Sequence, residues 1–374
     1  MVMVLTGNMF DSQAQTLVNT VNCVGVMGKG IALEFKKRFP EMYKDYAARC
    51  AAHQVKLGQP YLYRRLIPPH ILNFPTKDHW RSVARLQDIV DGLCYLQAHY
   101  KDWEITSLAV PPLGCGEGGL EWRVVGPTLF RHLNQLDIPV DLYAPHGTPK
   151  EEMQASFLLE PAAVEVASAG RGPVRIAPEW IALVEILARI DEEPYHWPVG
   201  RTTFQKIAYF ATEAGLHTGL THSRGSYGPY APELKAKITQ LVNNGLVREE
   251  LLGNMLAIKV GPTFKDARQA YQKDLQKVES VIDRVADLFL RMKTRQAEIA
   301  ATVHFAAQSL ARESCDKPSE NQVLAYVMDW KLRRRPPLDE SEVAMVIRNL
   351  AALGWLYVKP SADLPLPEEV ILPA

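Results

Sequence analysis

A chain of 374 residues exceeds what one hydrophobic core usually organises, so two or more domains are expected. With 47% hydrophobic and 22% charged residues, the composition excludes a largely disordered or collagen-like chain. Lys plus Arg and Asp plus Glu both total 42, which leaves no global field to hold nucleic acid or an anionic membrane, so any such binding must be local.

Through residue 146, short β-rich runs alternate with amphipathic helical stretches. Strands are predicted at Val2–Leu5, Thr16–Val21, near Val55–Tyr63, and at His70–Asn73, Ile105–Val110 and Val140–Tyr143. Between them, Ile31, Phe35, Phe39, Met42 and Tyr46 share one helical face, as do Leu86, Ile89, Val90, Leu93 and Leu96, and then Leu129, Phe130, Leu133 and Leu136. The pattern predicts an α/β fold whose ligands bind in loops at the carboxyl ends of the strands. Residues 145–178 lose this rhythm and gather Pro, Gly, Ala and Ser, as an interdomain linker does. Helices are predicted over 179–190, 202–214, 231–245, 264–293, 296–312, 320–332 and 340–353. Only Leu246–Val260, with central Gly253-Asn254, reads as a hairpin. The expected division is therefore a domain over 1–146, a linker over 147–178 and a mainly helical domain over 179–374.

The five cysteines (Cys23, Cys50, Cys94, Cys115 and Cys315) are odd in number and scattered, with no CxxC pair, which argues against a disulfide framework or a zinc site. The ten histidines show no HExxH spacing, so no metal is expected. The N-terminus MVMVLTGNMF lacks a signal-peptide pattern, and no apolar run reaches the ~20 residues that span a bilayer. The chain reads as soluble and cytoplasmic, with no membrane partner.

The densest chemical signal is AVPPLGCGEGGLEW, Ala109 to Trp122, where a strand passes into Gly114, Cys115, Gly116, Glu117, Gly118 and Gly119 before a helix opens near Glu121. Glycines at such a junction let backbone N–H groups converge on an anion, helped by the helix N-terminus. This is neither a P-loop nor a GxGxxG fingerprint with its acidic ribose ligand. A second cluster, VNTVNCVGVMGKGIALEFKKRF, places Asn19 and Asn22 where a strand ends and Gly25, Gly28 and Gly30 before a helix. Two glycine loops opening helices from one sheet can grip a bent diphosphate from both sides. A third element, Gly7-Asn8-Met9-Phe10, follows the first strand.

Through VNTVNCVGVMGKGIALEFK, NFPTKDHWR and GCGEGGLEW, residues 1–146 resemble the macrodomains, which bind ADP-ribose, and within them the branch of the DNA ADP-ribosyl glycohydrolase antitoxin DarG. The resemblance implies an α/β macrodomain with a mixed sheet flanked by helices. It also implies an ADP-ribose site from Gly7, Asn8 and Met9, from Asn19, Asn22, Gly25, Met27, Gly28, Lys29 and Gly30, from Thr76, from Pro112 and the run Gly114, Cys115, Gly116, Glu117, Gly118, Gly119 and Leu120, and from Tyr143. It makes Lys77 of NFPTK the catalytic lysine, with no cofactor. A lysine after an apolar strand, beside Trp80, can serve as a Schiff-base or electrostatic group if burial lowers its pKa. Related mammalian members carry an aspartate where this chain has Gly118, which makes Glu117 the candidate acid/base. Asn8 stands where many macrodomains have an aspartate on the adenine amino group, and its amide oxygen can accept the same hydrogen bond. His79, Trp80 and Arg81 are candidate DNA contacts. Cys115 reads as a small loop filler.

Beyond the linker, TTFQKIAYFATEAGLHTG and SRGSYGPYAPELKAKITQLVNNGLV resemble the helical domain of SocA-like, Panacea-type antitoxins, over about residues 200–250. That resemblance implies a C-terminal region that binds and neutralises a cognate DarT-like toxin, with Tyr227, Gly228, Pro229 and Tyr230 forming a stiff aromatic turn. The combined expectation is an antitoxin that hydrolytically removes ADP-ribose from ADP-ribosylated DNA, with thymine in single strands as the expected base and ADP-ribose as product. The alternative is a non-catalytic ADP-ribose reader fused to a protein- or nucleic-acid-binding module, the latter suggested by the run Arg333, Arg334 and Arg335.

Overall fold

In the computed structural model, residues 1–160, 175–253, 255–290, 292–314 and 316–365 are described. Asn254 of the expected hairpin turn, Cys315 and residues 161–174 of the expected linker lie outside the described residues.

In chain order the elements are β1 (Val2–Leu5), β2 (Thr16–Asn22), α1 (Gly30–Arg38), α2 (Pro40–Ala51), β3 (Tyr61–Tyr63), β4 (His70–Lys77), α3 (Leu86–His99), β5 (Leu108–Val110), α4 (Trp122–Leu133), β6 (Val140–Tyr143), α5 (Ala155–Leu159) and α6 (Pro178–Glu192). There follow α7 (Arg201–Glu213), β7 (Ser223–Gly225), β8 (Gly228–Tyr230), α8 (Glu233–Asn243), β9 (Val247–Leu252), β10 (Met255–Val260), α9 (Phe264–Ala270), α10 (Gln272–Lys277), α11 (Glu279–Phe289), α12 (Thr294–Ser314), α13 (Glu320–Trp330) and α14 (Glu340–Ala352).

The six-stranded sheet has the order β1-β6-β5-β2-β4-β3, parallel throughout except for β3, which pairs antiparallel with β4 at one edge. This is the mixed sheet expected of the family. Strand β2 (TLVNTVN) is buried nearly end to end, because β4 and β5 flank it and helices cover both faces. On one face Leu17, Val21 and Ile71 pack with Phe35 of α1 and with Met42 and Tyr46 of α2. On the other, α3 lies so close to β4 that a Cβ at Gly92 would fall 2.5 Å from the Phe74 ring.

Three local expectations change. The helical face spanning Ile31 to Tyr46 belongs to two helices, since Phe39 leaves the helical conformation and Pro40 opens α2 at its first position. The helix expected over 264–293 is three, with breaks at Tyr271 and Val278. Its first break turns the Tyr271 side chain into a core, leaving it 1% exposed. The predicted aromatic turn at Tyr227–Tyr230 is part of a second small hairpin, β7–β8, whose glycines and proline hide the alternation expected of strands.

By contacts, the described chain forms two compact units. The first holds Met1–Val184 together with Ala236–Arg248 and Val260–Lys277, so the sheet shares its unit with segments from much later in the chain. The second holds Glu185–Lys235, Glu249–Lys259 and Val278–Ala374, and is mainly helical. Its core gathers Phe204, Ile207 and Phe210 of α7 against Ile299 and Val303 of α12, with the Tyr209 hydroxyl 2.8 Å from Nδ1 of His304. Buried Glu298 pairs with Lys331 at 3.2 Å and with Arg334 at 3.1 Å, so one arginine of the basic run is spent on the core. Among the described residues no helix is long and apolar enough to cross a membrane.

Candidate active site

The parallel register brings the carboxyl ends of β2, β4 and β5 side by side, and the loops that leave them enclose a cavity of about 610 Å³. Its wall joins both glycine clusters to the end of β4, with Asn22, Gly28, Lys29 and Gly30 on one side and Gly114, Gly116, Glu117 and Gly118 on the other. Thr76, Lys77, Trp80 and Pro112 complete the predicted residues that line it.

The first loop is shaped by Asn22. Its Oδ1 accepts from the N–H groups of Val24 at 3.0 Å and Val26 at 3.3 Å, and its Nδ2 donates to the Val26 carbonyl at 2.5 Å. Tyr46 fixes the same residue from the core, donating to its backbone and side-chain oxygens at 2.8 and 3.0 Å. Asn22 therefore braces the start of this loop through Val24 and Val26. That loop delivers the N-terminus of α1 to the cavity: Lys29, Gly30, Ile31 and Ala32 all line it, and Lys29, in the capping position, makes no side-chain cap. A helix start without a side-chain cap presents N–H donors and a positive dipole end, suited to a phosphate.

The second loop is held by its own backbone. Cys115 N–H donates to Pro112 at 2.9 Å, Leu120 N–H to Gly114 at 3.0 Å, Gly119 N–H to Gly116 at 3.2 Å, and Ala84 N–H to the Gly118 carbonyl at 2.9 Å. None of these bonds uses the N–H groups of Gly116, Glu117 or Gly118, which lie on the cavity wall. Gly118 crosses Gly114 so closely that a Cβ would stand 2.3 Å from the Gly114 carbonyl oxygen. This loop thus has no room for the aspartate that related members carry there. The expectation that the helix after this loop helps to bind the anion needs revising. The N-terminus of α4 is already occupied, since the Glu121 side chain accepts from Arg123 N–H at 3.1 Å and its own N–H donates to Asn244 Oδ1 at 2.7 Å. The helix start turned to the cavity is that of α1.

Lys77 ends β4 opposite Asn22, beyond an irregularity in the β2–β4 register. Its Nζ donates to the Glu117 carbonyl, bridging β4 to the glycine loop. Burial pulls its pKa below the ordinary lysine value, and the nearby Glu117 carboxylate opposes that shift. A lysine so placed loses its proton more readily than a solvated one. The loop after it is tied to the first loop, Cys23 N–H donating to Asp78 at 3.0 Å. Trp80 stands at the mouth, 47% exposed, with the Arg81 guanidinium 4.6 Å from its ring centre and His79 packed alongside at 5.4 Å.

Other predicted residues lie elsewhere. Asn8 caps the short turn Met9–Asp11, accepting from Phe10 N–H at 3.2 Å and donating to Asp11 at 3.0 Å, while Met9 is in the core. Gly7 precedes that turn with φ +130°. Asn19 is fully buried, donating to Asn73 at 2.9 Å, and Met27 packs in the same core. Gly25 packs against Cys50. Burial pushes the Cys115 thiol up, away from the reactive thiolate. Leu120 is buried, Gly119 adjoins Val83, and Tyr143 ends β6 in the core. Of the three candidate DNA contacts, Trp80 lines the cavity and His79 and Arg81 flank it. Thr20, Val21, Val26, Ile31, Ala32 and Pro111 also line the cavity without having been singled out, although all sit within or next to the glycine-rich strings.

The Macro domain family matches residues 18–129, the stretch that contains both glycine loops and Lys77. A DNA ADP-ribosyl glycohydrolase of Thermus aquaticus is 33% identical over 81% of this chain and 81% of its own length. A Thermosipho africanus DNA ADP-ribosyl transferase–DNA ADP-ribosyl glycohydrolase fusion protein is 40% identical over 41% of this chain and 45% of its own. The solved macrodomain of Mycobacterium tuberculosis DarG is 44% identical over 39% of this chain and 98% of that one, with a TM-score of 0.38. With a relative this similar across four-fifths of both chains, and with the macrodomain sheet and its glycine-lined cavity in place, the chain belongs to the DNA ADP-ribosyl glycohydrolase (DarG) family of macrodomain proteins.

Proposed function

We propose that this chain hydrolyses the glycosidic bond between ADP-ribose and a DNA base, thymine in single-stranded DNA, and that its C-terminal region binds and neutralises the cognate DNA ADP-ribosyltransferase toxin in the cytoplasm. One observation carries the catalytic part: a lysine with a lowered pKa stands at the rim of a cavity walled by two glycine loops and a helix start. The diphosphate would lie between the N-terminus of α1 and the N–H groups of Gly116–Gly118, which leaves the distal ribose toward Lys77.

The bond that breaks joins C1″ of that ribose to the base nitrogen, and positive charge develops at C1″. In the ring-opened form, neutral Lys77 adds to C1″, the C1″–base bond breaks, and the base leaves with a proton. Water then hydrolyses the imine, releasing ADP-ribose and regenerating the amine, so the net consumption is one water. Glu117, whose carboxylate adjoins Lys77, is the proton donor and acceptor available on the loop. Trp80 and Arg81 offer a stacking face and a cation at the mouth, where neighbouring bases and phosphates of a single strand would pass.

For the second part, a relative that joins transferase and glycohydrolase in one chain supports a partnership between the two activities. Tyr227 and Tyr230, 64% and 43% exposed on the β7–β8 hairpin, supply aromatic contact surface. The residues that line the hydrolytic cavity all come from 1–146, and the surface offered to the toxin lies within 179–374. Incubation with an oligonucleotide ADP-ribosylated on thymine should release free ADP-ribose and restore the unmodified strand. Tight ADP-ribose binding with no release would instead identify a reader. Co-purification of the toxin with residues 179–374 held in the full chain, and its loss on Tyr227→Ala, would test the second part.

A further inference from the structure

The glycine loop that walls the cavity ends at Glu121, and the residues that hold Glu121 come from far along the sequence. Asn244, fully buried at the end of α8, accepts from the Glu121 N–H at 2.7 Å and donates to the Gln240 carbonyl at 2.8 Å. Its own carbonyl accepts from the Thr263 hydroxyl at 2.9 Å. Tyr271 reaches the same residue from the break between α9 and α10, its hydroxyl 3.4 Å from the Glu121 carboxylate and 2.9 Å from the Ile176 carbonyl.

The clamp continues along the helix that follows the loop. Arg123 of α4, fully buried, donates to the Ala270 carbonyl at 2.5 Å and lies over the Tyr271 ring, and Arg131 pairs with Asp266 at 2.6 Å. Gly245 crosses this region with φ +71°, where a Cβ would fall 3.1 Å from Leu86 of α3. All of these residues lie in the compact unit that contains the sheet. The elements behind the glycine loop are thus supplied in part by Ala236–Arg248 and Val260–Lys277.

We infer that Asn244, seconded by Tyr271, is a positioning residue for the ADP-ribose cavity, and that the later segment docked behind the loop from Gly114 to Glu121 braces it in its ligand-ready shape. The loop's ligand-facing amides at Gly116–Gly118 are followed within three residues by the Glu121 amide that Asn244 holds, so movement at that anchor is passed to them. Without an acceptor, the Glu121 N–H would be buried without a partner, and the loop would shift to find one. The role in substrate binding rests on the reading of the cavity as an ADP-ribose site; the anchor itself does not.

The test uses the full chain with Asn244→Ala, Asn244→Asp, which keeps an oxygen acceptor, and Tyr271→Phe. ADP-ribose affinity is read by calorimetry, and hydrogen exchange is followed at the amides of Gly116–Glu121 without ligand. Asn244→Ala is expected to weaken ADP-ribose about five- to tenfold and to speed exchange at the loop amides at least tenfold. The KM for modified oligonucleotide should rise in parallel, with kcat falling less than threefold. Asn244→Asp should return affinity to within about threefold of the parent, and Tyr271→Phe should give a weaker effect of the same sign. A purely structural role would lower the melting temperature without the affinity change. Affinity and loop exchange both unchanged in a folded Asn244→Ala protein would overturn the inference. Should Asn244→Ala not fold, loop exchange and affinity both unchanged in Tyr271→Phe would overturn it equally. Should the parent itself take up no ADP-ribose, the reading of the cavity fails, and loop exchange still decides whether Asn244 anchors the loop.

Discussion

Replacing Gly118 with alanine adds a single methyl group, yet it strikes the point where the glycine loop crosses itself. The added Cβ would sit 2.3 Å from the Gly114 carbonyl oxygen and 2.8 Å from its Cα, all backbone atoms that cannot rotate away. The first is more than 1 Å and the second about 0.7 Å inside the ~3.5 Å at which such atoms rest. The loop must open, and opening works against the bonds from Leu120 N–H to Gly114 and from Ala84 N–H to Gly118. Relieving an overpacked site costs about 1–3 kcal/mol, and each weakened backbone bond adds roughly 1 kcal/mol. The sum is about 3–5 kcal/mol, and if about 2–4 kcal/mol of it falls on the ligand-ready conformation, affinity drops about 30- to 1000-fold. Calorimetric titration of ADP-ribose into Gly118→Ala, with circular dichroism confirming the fold, measures it directly. Gly118→Asp carries the same Cβ, so it should lose affinity and gain no turnover from its carboxylate. A Kd for Gly118→Ala within threefold of the parent would show that the loop crossing does not shape the site.

Gly116→Glu, with nothing within 4 Å of its Cβ position, should fold normally but place a carboxylate at the diphosphate wall, and calorimetry should show affinity falling at least tenfold. Trp80→Ala should leave free ADP-ribose binding within twofold while raising KM for modified single-stranded oligonucleotide roughly fivefold to a hundredfold, the range set by the loss of one stacked base. Burial, together with nearby Glu152, raises the Glu121 pKa to about 8, so the native state holds a proton that the unfolded chain releases near the ordinary glutamate value. The stabilisation from that proton is complete at low pH, declines as pH rises between the unfolded and folded values, and is gone above about 8. Glu121→Gln should therefore gain melting temperature relative to the parent between pH 6 and pH 9, and a constant difference across that range, followed by scanning calorimetry, would contradict the assignment.

Much of the site was legible because its chemistry is carried by residues close together in sequence. A run such as Val18 to Phe39 holds a strand, a loop and a helix start, so its glycines and Asn22 report directly on the cavity they form. Lys77 is singled out by the resemblance carried by NFPTK and not by its spacing, since the predicted strand stops at Asn73 whereas β4 runs on to Lys77 at the sheet's carboxyl end. What sequence spacing could not separate was scaffold from contact. Met27, Leu120 and Asn19 lie within the same strings yet point into cores, and strand alternation alone does not say which face a bulged strand such as β2 presents. The N-terminus of α4 was misread for a different reason. Its cap is the adjacent Glu121 side chain, and the Glu121 N–H is taken from 123 residues away by Asn244, one of two asparagines in a turn; long-range pairing of this kind leaves no local signature. The split of the expected 264–293 helix has the same origin, since burial of Tyr271 against Glu121 outweighs the helical propensity of its neighbours.

The central claim is that Lys77 performs the chemistry in a cavity built to hold ADP-ribose. The most direct measurement compares the parent chain with Lys77→Ala on one oligonucleotide ADP-ribosylated at thymine, with ADP-ribose affinity determined on the same preparations. Removal of Nζ takes away its bond to the Glu117 carbonyl but none of the backbone groups that line the diphosphate region. Turnover should fall at least a hundredfold while the Kd for ADP-ribose changes less than about fivefold. Near-parental turnover by Lys77→Ala would contradict the assignment.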